Sequence, residues 1–241
     1  MGTIVELDTN DGNDANNRSS GAVGARGYLG LPPGGSGPGV LVVQEWWGLD
    51  SGITEMADRL AAEGFVALAP DLYRGELAGH TEMDKAGELM NSMPFDRAAA
   101  DMSAAVDFLL AHEASTGDGV GVMGFCMGGM LSFFIAANRP DAIRAVVAFY
   151  GFPSGEDQPE YSQITAAIQG HMAEHDDFFP PAGAHELEGR LQQLGLDATL
   201  TVHPGSGHAF MAPHNALGTQ DNDLYAQIWP QAVSFLHAHL A

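Results

Sequence analysis

Apolar and polar residues alternate along most of the chain in two periods, one typical of buried strands and the other of amphipathic helices. Residues 39–45 (GVLVVQE) form a continuous apolar run that ends in polar residues, as in a strand covered on both faces. Residues 51–64 then place Ile53, Met56 and Leu60 on one helical face and end at a glycine. The pattern predicts a strand followed directly by a helix.

The same alternation continues to the end of the chain. Further strands are predicted over residues 65–73, 119–125, 145–151, 165–173 and 198–204. Further helices are predicted over residues 81–92, 94–114, 126–140, 182–195 and 221–240. Regular alternation of strand and helix predicts an α/β fold, a mostly parallel sheet with helices on both faces.

The first part of the chain departs from this alternation of strand and helix. Residues 1–37 predict a β-rich start with loose turns, and within it residues 1–20 are expected to be loosely ordered. No internal repeat and no linker is visible after residue 38. Residues 1–241 are therefore predicted to form a single domain, which fits a chain of 241 residues that is 45% hydrophobic.

Charge and cysteine content exclude several kinds of site. The chain has 31 acidic residues against 9 basic ones, for a formal net charge of −22, so it offers no cationic surface to a nucleic acid. Adaptation to high salt and a codon bias that disfavours lysine both explain this acidity, and the sequence does not choose between them. A single cysteine excludes an internal disulfide and any multi-cysteine metal site. No metal and no cofactor is expected.

The sequence lacks the segments that would direct the chain to a membrane or out of the cell. The first 20 residues show no basic segment followed by an apolar one, and the chain has no run of eighteen apolar residues. We therefore expect a cytoplasmic protein without a membrane partner. The expected oligomeric state is a monomer or a loosely associated homo-oligomer.

The single cysteine lies where a predicted strand turns directly into a predicted helix. The local sequence Gly124-Phe125-Cys126-Met127-Gly128 has the form of a nucleophile elbow, Gly-x-nucleophile-x-Gly. Small residues are needed there because the tight turn crowds the neighbouring backbone. The helix N-terminus would also stabilise a thiolate. The alternative is a buried, inert cysteine that acts as a small apolar side chain.

Candidate partners for Cys126 follow later strands in the order expected of this kind of site. Asp176 comes after the strand at residues 165–173, and His208 comes after the strand at residues 198–204. Nucleophile, acid and histidine in that order are typical of the elbow-containing hydrolytic folds. Two neighbours compete with them: Asp177, which is also suited to capping the next helix, and His203, which lies within its strand.

Two further histidines, His171 and His175, suggest a metal pair. In an extended strand they would lie about 13 Å apart, which is too far for two ligands of one metal ion. We therefore expect no metal site at these residues.

Several short motifs occur in the order found in one known family: QEWWGLD (44–50), APDLY (69–73), GFCMGG (124–129), FYG (149–151), HDDFFPP (175–181) and GHAF (207–210). On these motifs, roughly residues 20–240 resemble the dienelactone hydrolases, α/β-hydrolases that use cysteine as nucleophile. The resemblance implies an α/β-hydrolase fold. It also implies that Cys126 is the nucleophile, His208 the general base and then acid, and Asp176 the residue that orients His208.

The resemblance also implies roles for residues around the reacting carbonyl. The backbone N–H groups of Met127 and Trp46 would bind the oxyanion, and Glu45 would help to deprotonate the thiol when substrate displaces it. A structural hydrogen bond is the alternative role for Glu45. Trp46 and Trp47 would line an apolar pocket, with core packing of one of them as the alternative.

Two arginines bind the carboxylate of dienelactone in the family's specific pattern, and this sequence departs from both. Arg74 follows Tyr73 directly, one place early, and Ala212 stands where the second arginine would be. The expected function is hydrolysis of small esters or lactones through an acyl-enzyme, with at most a modest preference for acidic lactones. The alternatives are a general carboxylesterase or thioesterase, and a catalytically silent α/β-hydrolase that binds a ligand.

Overall fold

The computed structural model describes residues 1–9 and 24–240. Its strands are β1 (Thr3–Glu6), β2 (Arg26–Gly30), β3 (Gly37–Val43), β4 (Val66–Pro70), β5 (Ser115–Phe125), β6 (Ile143–Phe149), β7 (Ala167–His175) and β8 (Ala198–Gly207). Its helices are α1 (Ser51–Ala62), α2 (Met83–Ser92), α3 (Phe95–Ala111), α4 (Met127–Asn138), α5 (Pro181–Gln193) and α6 (Asn222–Leu240). The predicted alternation of strand and helix is confirmed.

The strands form an eight-stranded sheet in the order β1-β2-β4-β3-β5-β6-β7-β8. Pairing is parallel between β3 and β4, β6 and β7, and β7 and β8. Pairing is antiparallel between β1 and β2 and between β2 and β4. The predicted mostly parallel α/β sheet is therefore confirmed.

The chain divides into two compact units, Met1–Val120 and Gly121–Ala241. The prediction of a single domain is not tested by this division and stays a prediction. Most of the segment expected to be loosely ordered, residues 10–20, lies outside the described residues. Within the described start of the chain, Thr3–Glu6 forms β1, as its alternating sequence indicates.

The first unit shows how local sequence signals set the helices. Asp50 is the N-cap of helix α1. Its side chain accepts a 2.9 Å hydrogen bond from the Ile53 N–H, so one of the N–H groups at the helix start gains a partner. Its predicted apolar face, Ile53, Met56 and Leu60, is buried. Every residue of β4 is buried, which requires cover on both faces of the sheet.

The second unit contains a helix of a different kind. Helix α4 is apolar all round and nine of its twelve residues are buried, which is typical of a core helix. Helices α5 and α6 instead bury only one stripe each. Helix α4 therefore provides a rigid support directly after β5.

Several strand ends differ from the predictions by two residues or more. Strand β5 begins at Ser115 rather than residue 119, and β8 continues to Gly207 rather than ending at residue 204. The pairing between β7 and β8 shifts register after Ala173, so that His175 pairs with Gly207. Between these two paired positions β8 has more residues than β7, as at a β-bulge. Because the end of β8 depends on its pairing with β7, the sequence of β8 alone predicted the wrong end.

No helix in the described part of the chain is long and apolar enough to cross a membrane. The cellular location and the oligomeric state stay predictions.

Candidate active site

Cys126 occupies the single residue between β5 and α4. Its backbone has φ 53° and ψ −117°, a region that residues with a Cβ rarely adopt. Two hydrogen bonds hold this conformation: the Cys126 N–H donates to the Phe149 carbonyl (3.0 Å), and the Cys126 carbonyl accepts from the Met130 N–H (3.1 Å). The residue is half-buried. The strained turn therefore keeps the thiol at the start of the helix and accessible.

Glycines make this turn possible. A Cβ on Gly124 would collide with the carbonyl of Gly128, and a Cβ on Gly151 would collide with the carbonyl of Cys126. The Gly128 carbonyl is also fixed from within the helix, because it accepts a 2.7 Å hydrogen bond from the Ser132 hydroxyl. The backbone of α4 and of the segment after β6 thus approaches the elbow more closely than any larger residue would allow.

His208 follows directly on the end of β8 and lies against the thiol. Its Nε2 is 3.1 Å from Cys126 Sγ, and its Nδ1 is 2.7 Å from Asp176 Oδ2. Because an ionised carboxylate only accepts hydrogen bonds, Nδ1 carries a proton. Nε2 is therefore the atom that exchanges a proton with the thiol.

Asp176 follows directly on the end of β7, and its side chain is fully buried. The Oδ1 atom accepts hydrogen bonds from the N–H groups of Phe178 and Phe179, both 2.9 Å, while Oδ2 accepts from His208. A buried carboxylate is costly unless it is hydrogen-bonded, and here both oxygens are. The carboxylate is consequently fixed in the orientation that holds His208.

Aromatic rings enclose His208. The ring centroids of Phe178, Tyr150 and Phe179 lie 4.9, 5.2 and 5.8 Å from that of His208. The Tyr150 backbone is itself strained, with φ 38°, and its N–H donates to the His171 carbonyl (2.8 Å). Sequence reasoning gave Tyr150 no role, although it belongs to the FYG motif. The rings restrict the imidazole to one orientation and exclude water from its faces.

The two competing residues lie elsewhere. Asp177 is exposed. His203 Nε2 lies 3.0 Å from Nδ1 of the buried His171, and the two rings stack at 5.2 Å. Burial lowers the pKa of His203, and burial together with the neighbouring His203 lowers the pKa of His171 to about 3. Both histidines are therefore neutral at physiological pH, and His203 bonds to His171 rather than to the thiol.

The two histidines that suggested a metal pair lie in different environments, since His171 is buried and His175 is exposed. Among residues 1–9 and 24–240, no group of three His, Cys, Asp or Glu side chains could hold a metal ion. The expectation of no metal and no cofactor stays a prediction.

The remaining predicted site residues have well-defined surroundings. Glu45 and Trp47 are buried just past β3, and the half-buried Trp46 packs edge-on against Trp47 at 5.1 Å. Arg74 forms two hydrogen bonds with the carboxylate of Asp101, at 2.6 and 3.2 Å, and its side chain is only 10% exposed. Met127 is the buried first residue of α4. Their predicted contacts with substrate and oxyanion stay predictions.

Comparison with known proteins identifies relatives over the whole chain. Residues 25–240 match the model of the dienelactone hydrolase family. The chain is 36% identical to "Protein usf" of Aquifex pyrophilus, over all of both chains. It is 34% identical, again over all of both chains, to an Aquifex aeolicus protein whose name provisionally assigns it as a carboxymethylenebutenolidase.

Solved structures show the same fold at lower identity. A dienelactone hydrolase from Anabaena variabilis matches 100% of this chain and 99% of its own, with 18% identity and a TM-score of 0.69. A dienelactone hydrolase-like promiscuous phosphotriesterase from metagenomic libraries matches 100% of this chain and 99% of its own, with 21% identity and a TM-score of 0.81. These similarities establish the predicted α/β-hydrolase fold.

Proposed function

The chain belongs to the dienelactone hydrolase family, and we propose that this hydrolase cleaves small carboxylic esters and lactones with Cys126 as its nucleophile. One observation carries the proposal. At a strained strand-to-helix turn, the Cys126 thiol lies 3.1 Å from His208 Nε2, whose other ring nitrogen lies 2.7 Å from the buried Asp176 carboxylate. Nucleophile, base and orienting group within hydrogen-bond reach are what covalent catalysis requires.

The reaction follows from these contacts. His208 Nε2 takes the proton of the Cys126 thiol while the sulfur attacks the carbonyl carbon of the substrate. The tetrahedral intermediate then expels the alkoxide, which takes the proton from His208, and a thioester with Cys126 remains. A water molecule gives a proton to His208 and attacks the thioester, after which the proton returns to the sulfur as the acid leaves. Asp176 stabilises the imidazolium in both halves.

The oxyanion of the tetrahedral intermediate needs preorganised donors. Met127 is the first residue of α4, so its N–H lies at the positive end of the helix dipole, where a developing negative charge is stabilised. We assign it as one donor. The Trp46 N–H as second donor and the Glu45 carboxylate as activator of the thiol remain expectations from the family resemblance.

The substrate class rests on the relatives and on the charges near the predicted contacts. A Bradyrhizobium relative, 30% identical over 84% of both chains, is named for a lactonase activity. Arg74 is already neutralised by Asp101, and Ala212 is a buried apolar residue. We therefore propose good turnover of neutral activated esters and at most a modest preference for lactones that carry a carboxylate.

Replacement of each proposed catalytic group tests the mechanism. Cys126→Ala should abolish release of p-nitrophenol from p-nitrophenyl acetate, and His208→Ala and Asp176→Asn should each lower kcat by about 10³-fold or more. Mass spectrometry of the quenched wild type should show one acetyl group, on the peptide that contains Cys126.

The neighbouring residues provide matched controls. His203→Ala and Asp177→Asn should keep turnover within about tenfold of the wild type, because neither side chain contacts the thiol–imidazole pair. Wild-type turnover by Cys126→Ala would contradict the mechanism. A binding protein without catalysis, the remaining alternative, would show no burst of p-nitrophenol and no acetylated peptide.

A further inference from the structure

The backbone at His208 is held by a side chain that neither the motifs nor the mechanism includes. Strand β8 ends at Gly207, so the His208 carbonyl lies beyond the last strand residue. The hydroxyl of Thr219, eleven residues further along, donates a hydrogen bond to this carbonyl. The bond joins the loop after β8 directly to the histidine that contacts the thiol.

The approach of Thr219 to this loop is close. A Cβ on Gly207 would lie 3.1 Å from the Cβ of Thr219 and closer still to its methyl group, so only glycine fits beside Thr219. Two hydrogen bonds hold the segment directly after Thr219: the Gln220 N–H donates to Asn215 Oδ1, and the Asp221 N–H donates to the Phe210 carbonyl, both at 3.0 Å. Thr219 is therefore attached to a fixed support.

The loop needs such a restraint because its backbone turns sharply. Ala209, the next residue, has φ 63°, which is unfavourable for a residue with a Cβ. A cavity of about 650 Å³ lies beside the loop and is lined by Gly207, Thr219 and polar neighbours. The Thr219 hydrogen bond restrains the loop on the side of this cavity.

His208 must satisfy two distances at once, 3.1 Å to the sulfur and 2.7 Å to the carboxylate. Displacement of a catalytic group by about 1 Å can cost about 10²-fold in rate, so the position of the His208 backbone matters to the reaction. We propose that Thr219 is a positioning residue that holds the His208 imidazole against Cys126. The inference rests on the proposed function of these two residues.

Removal of the hydroxyl tests the proposal. Thr219→Val keeps the shape of the side chain and removes the donor, whereas Thr219→Ser keeps the donor. We expect Thr219→Val to lower kcat for p-nitrophenyl acetate about tenfold with KM within about twofold, and Thr219→Ser to stay within about threefold of the wild type. Thr165→Val is the matched control, because Thr165 donates the same kind of bond to the Pro140 carbonyl on the surface.

A second readout separates positioning from stability alone. The rate at which iodoacetamide alkylates Cys126 depends on the thiolate, and so on the imidazole that takes its proton. In Thr219→Val the midpoint of the alkylation rate against pH should move upward by about half a pH unit or more, while Thr165→Val leaves it in place. If Val is not accommodated in the fold, as judged by circular dichroism, Thr219→Ala removes the same hydroxyl.

Two results overturn different claims. A Thr219→Val protein with wild-type kcat and an unshifted alkylation midpoint would overturn the positioning role, as would a lower melting temperature with no change in either measurement. Turnover by Cys126→Ala would instead overturn the proposed function. The two failures are thus distinguishable on the same substrate.

Discussion

At the scale of single residues, the pair of His171 and His203 is held neutral by burial. The Nε2 atom of His171 has no hydrogen-bond partner among the described residues. An unpaired acceptor is tolerated better than an unpaired donor in a buried site, so Nε2 is unprotonated and Nδ1–H donates to His203 Nε2. Neither ring has a carboxylate contact among those described here. Protonation of His171 is therefore opposed by its surroundings.

This pair predicts a loss of stability in acid. The pKa of His171 is about 3 in the folded protein, against about 6.5 for an unfolded chain, so the unfolded state binds the proton first as the pH falls. The resulting loss begins below about pH 6.5, reaches about 2 kcal/mol at pH 5 and ends near pH 3. In His171→Phe, which keeps a ring beside Phe149, the free energy of unfolding by urea should depend less on pH between 7 and 5.

An exposed histidine provides the control for this measurement. His185→Gln, on helix α5, should keep the wild-type dependence on pH. An equal loss between pH 7 and pH 5 in His171→Phe and in the wild type would show that other groups dominate acid unfolding.

At the scale of elements, the strands and helices were predictable because each has a strong apolar pattern. The positions of Cys126, Asp176 and His208 were predictable because each follows a strand. The end of β8 could not be predicted, since it depends on pairing with β7. The hydrogen bond of Thr219 could not be predicted either, because its partner is a backbone carbonyl and such contacts leave no sequence pattern. The aromatic enclosure of His208 was missed in part, since the FYG motif does not by itself indicate that the Tyr150 ring packs against the histidine.

Two glycines in helical and elbow positions should respond oppositely to replacement by alanine. Gly124→Ala would place a Cβ against the Gly128 carbonyl, so we expect a loss of about 2 kcal/mol or more in the free energy of unfolding, together with lower activity. Gly189→Ala, in helix α5 with open space around its Cβ, should add about 0.5–1 kcal/mol. Urea unfolding of both variants checks the pair, and equal effects would contradict the steric account of the elbow.

At the scale of the whole molecule, the net charge of −22 acts on any charged substrate before contact is made. An anionic ester approaches against a repulsive field, and the one predicted substrate arginine, Arg74, is paired with Asp101. A neutral ester is not repelled by this field. Charge therefore adds to the local reasons for expecting at most a modest preference for acidic substrates.

Salt should reveal this repulsion. Between about 10 mM and about 500 mM NaCl the Debye length falls from about 30 Å to below about 5 Å, which screens the field. We expect kcat/KM for a carboxylate-bearing ester to rise about three- to tenfold, and that for p-nitrophenyl acetate to change by less than about twofold. An equal response of both substrates would attribute the effect to the protein's stability rather than to steering.

The distance along the chain between the thiol and its imidazole has a consequence during synthesis. Cys126 and His208 are 82 residues apart, so at translation rates of about 5–20 residues per second the cysteine is made about 4–16 s before the histidine. Until β8 has joined the sheet, the nascent chain has no imidazole beside the sulfur. Because the thiolate is the reactive form, we expect the proposed nucleophile to stay largely unreactive on the ribosome until the last part of folding brings His208 beside it.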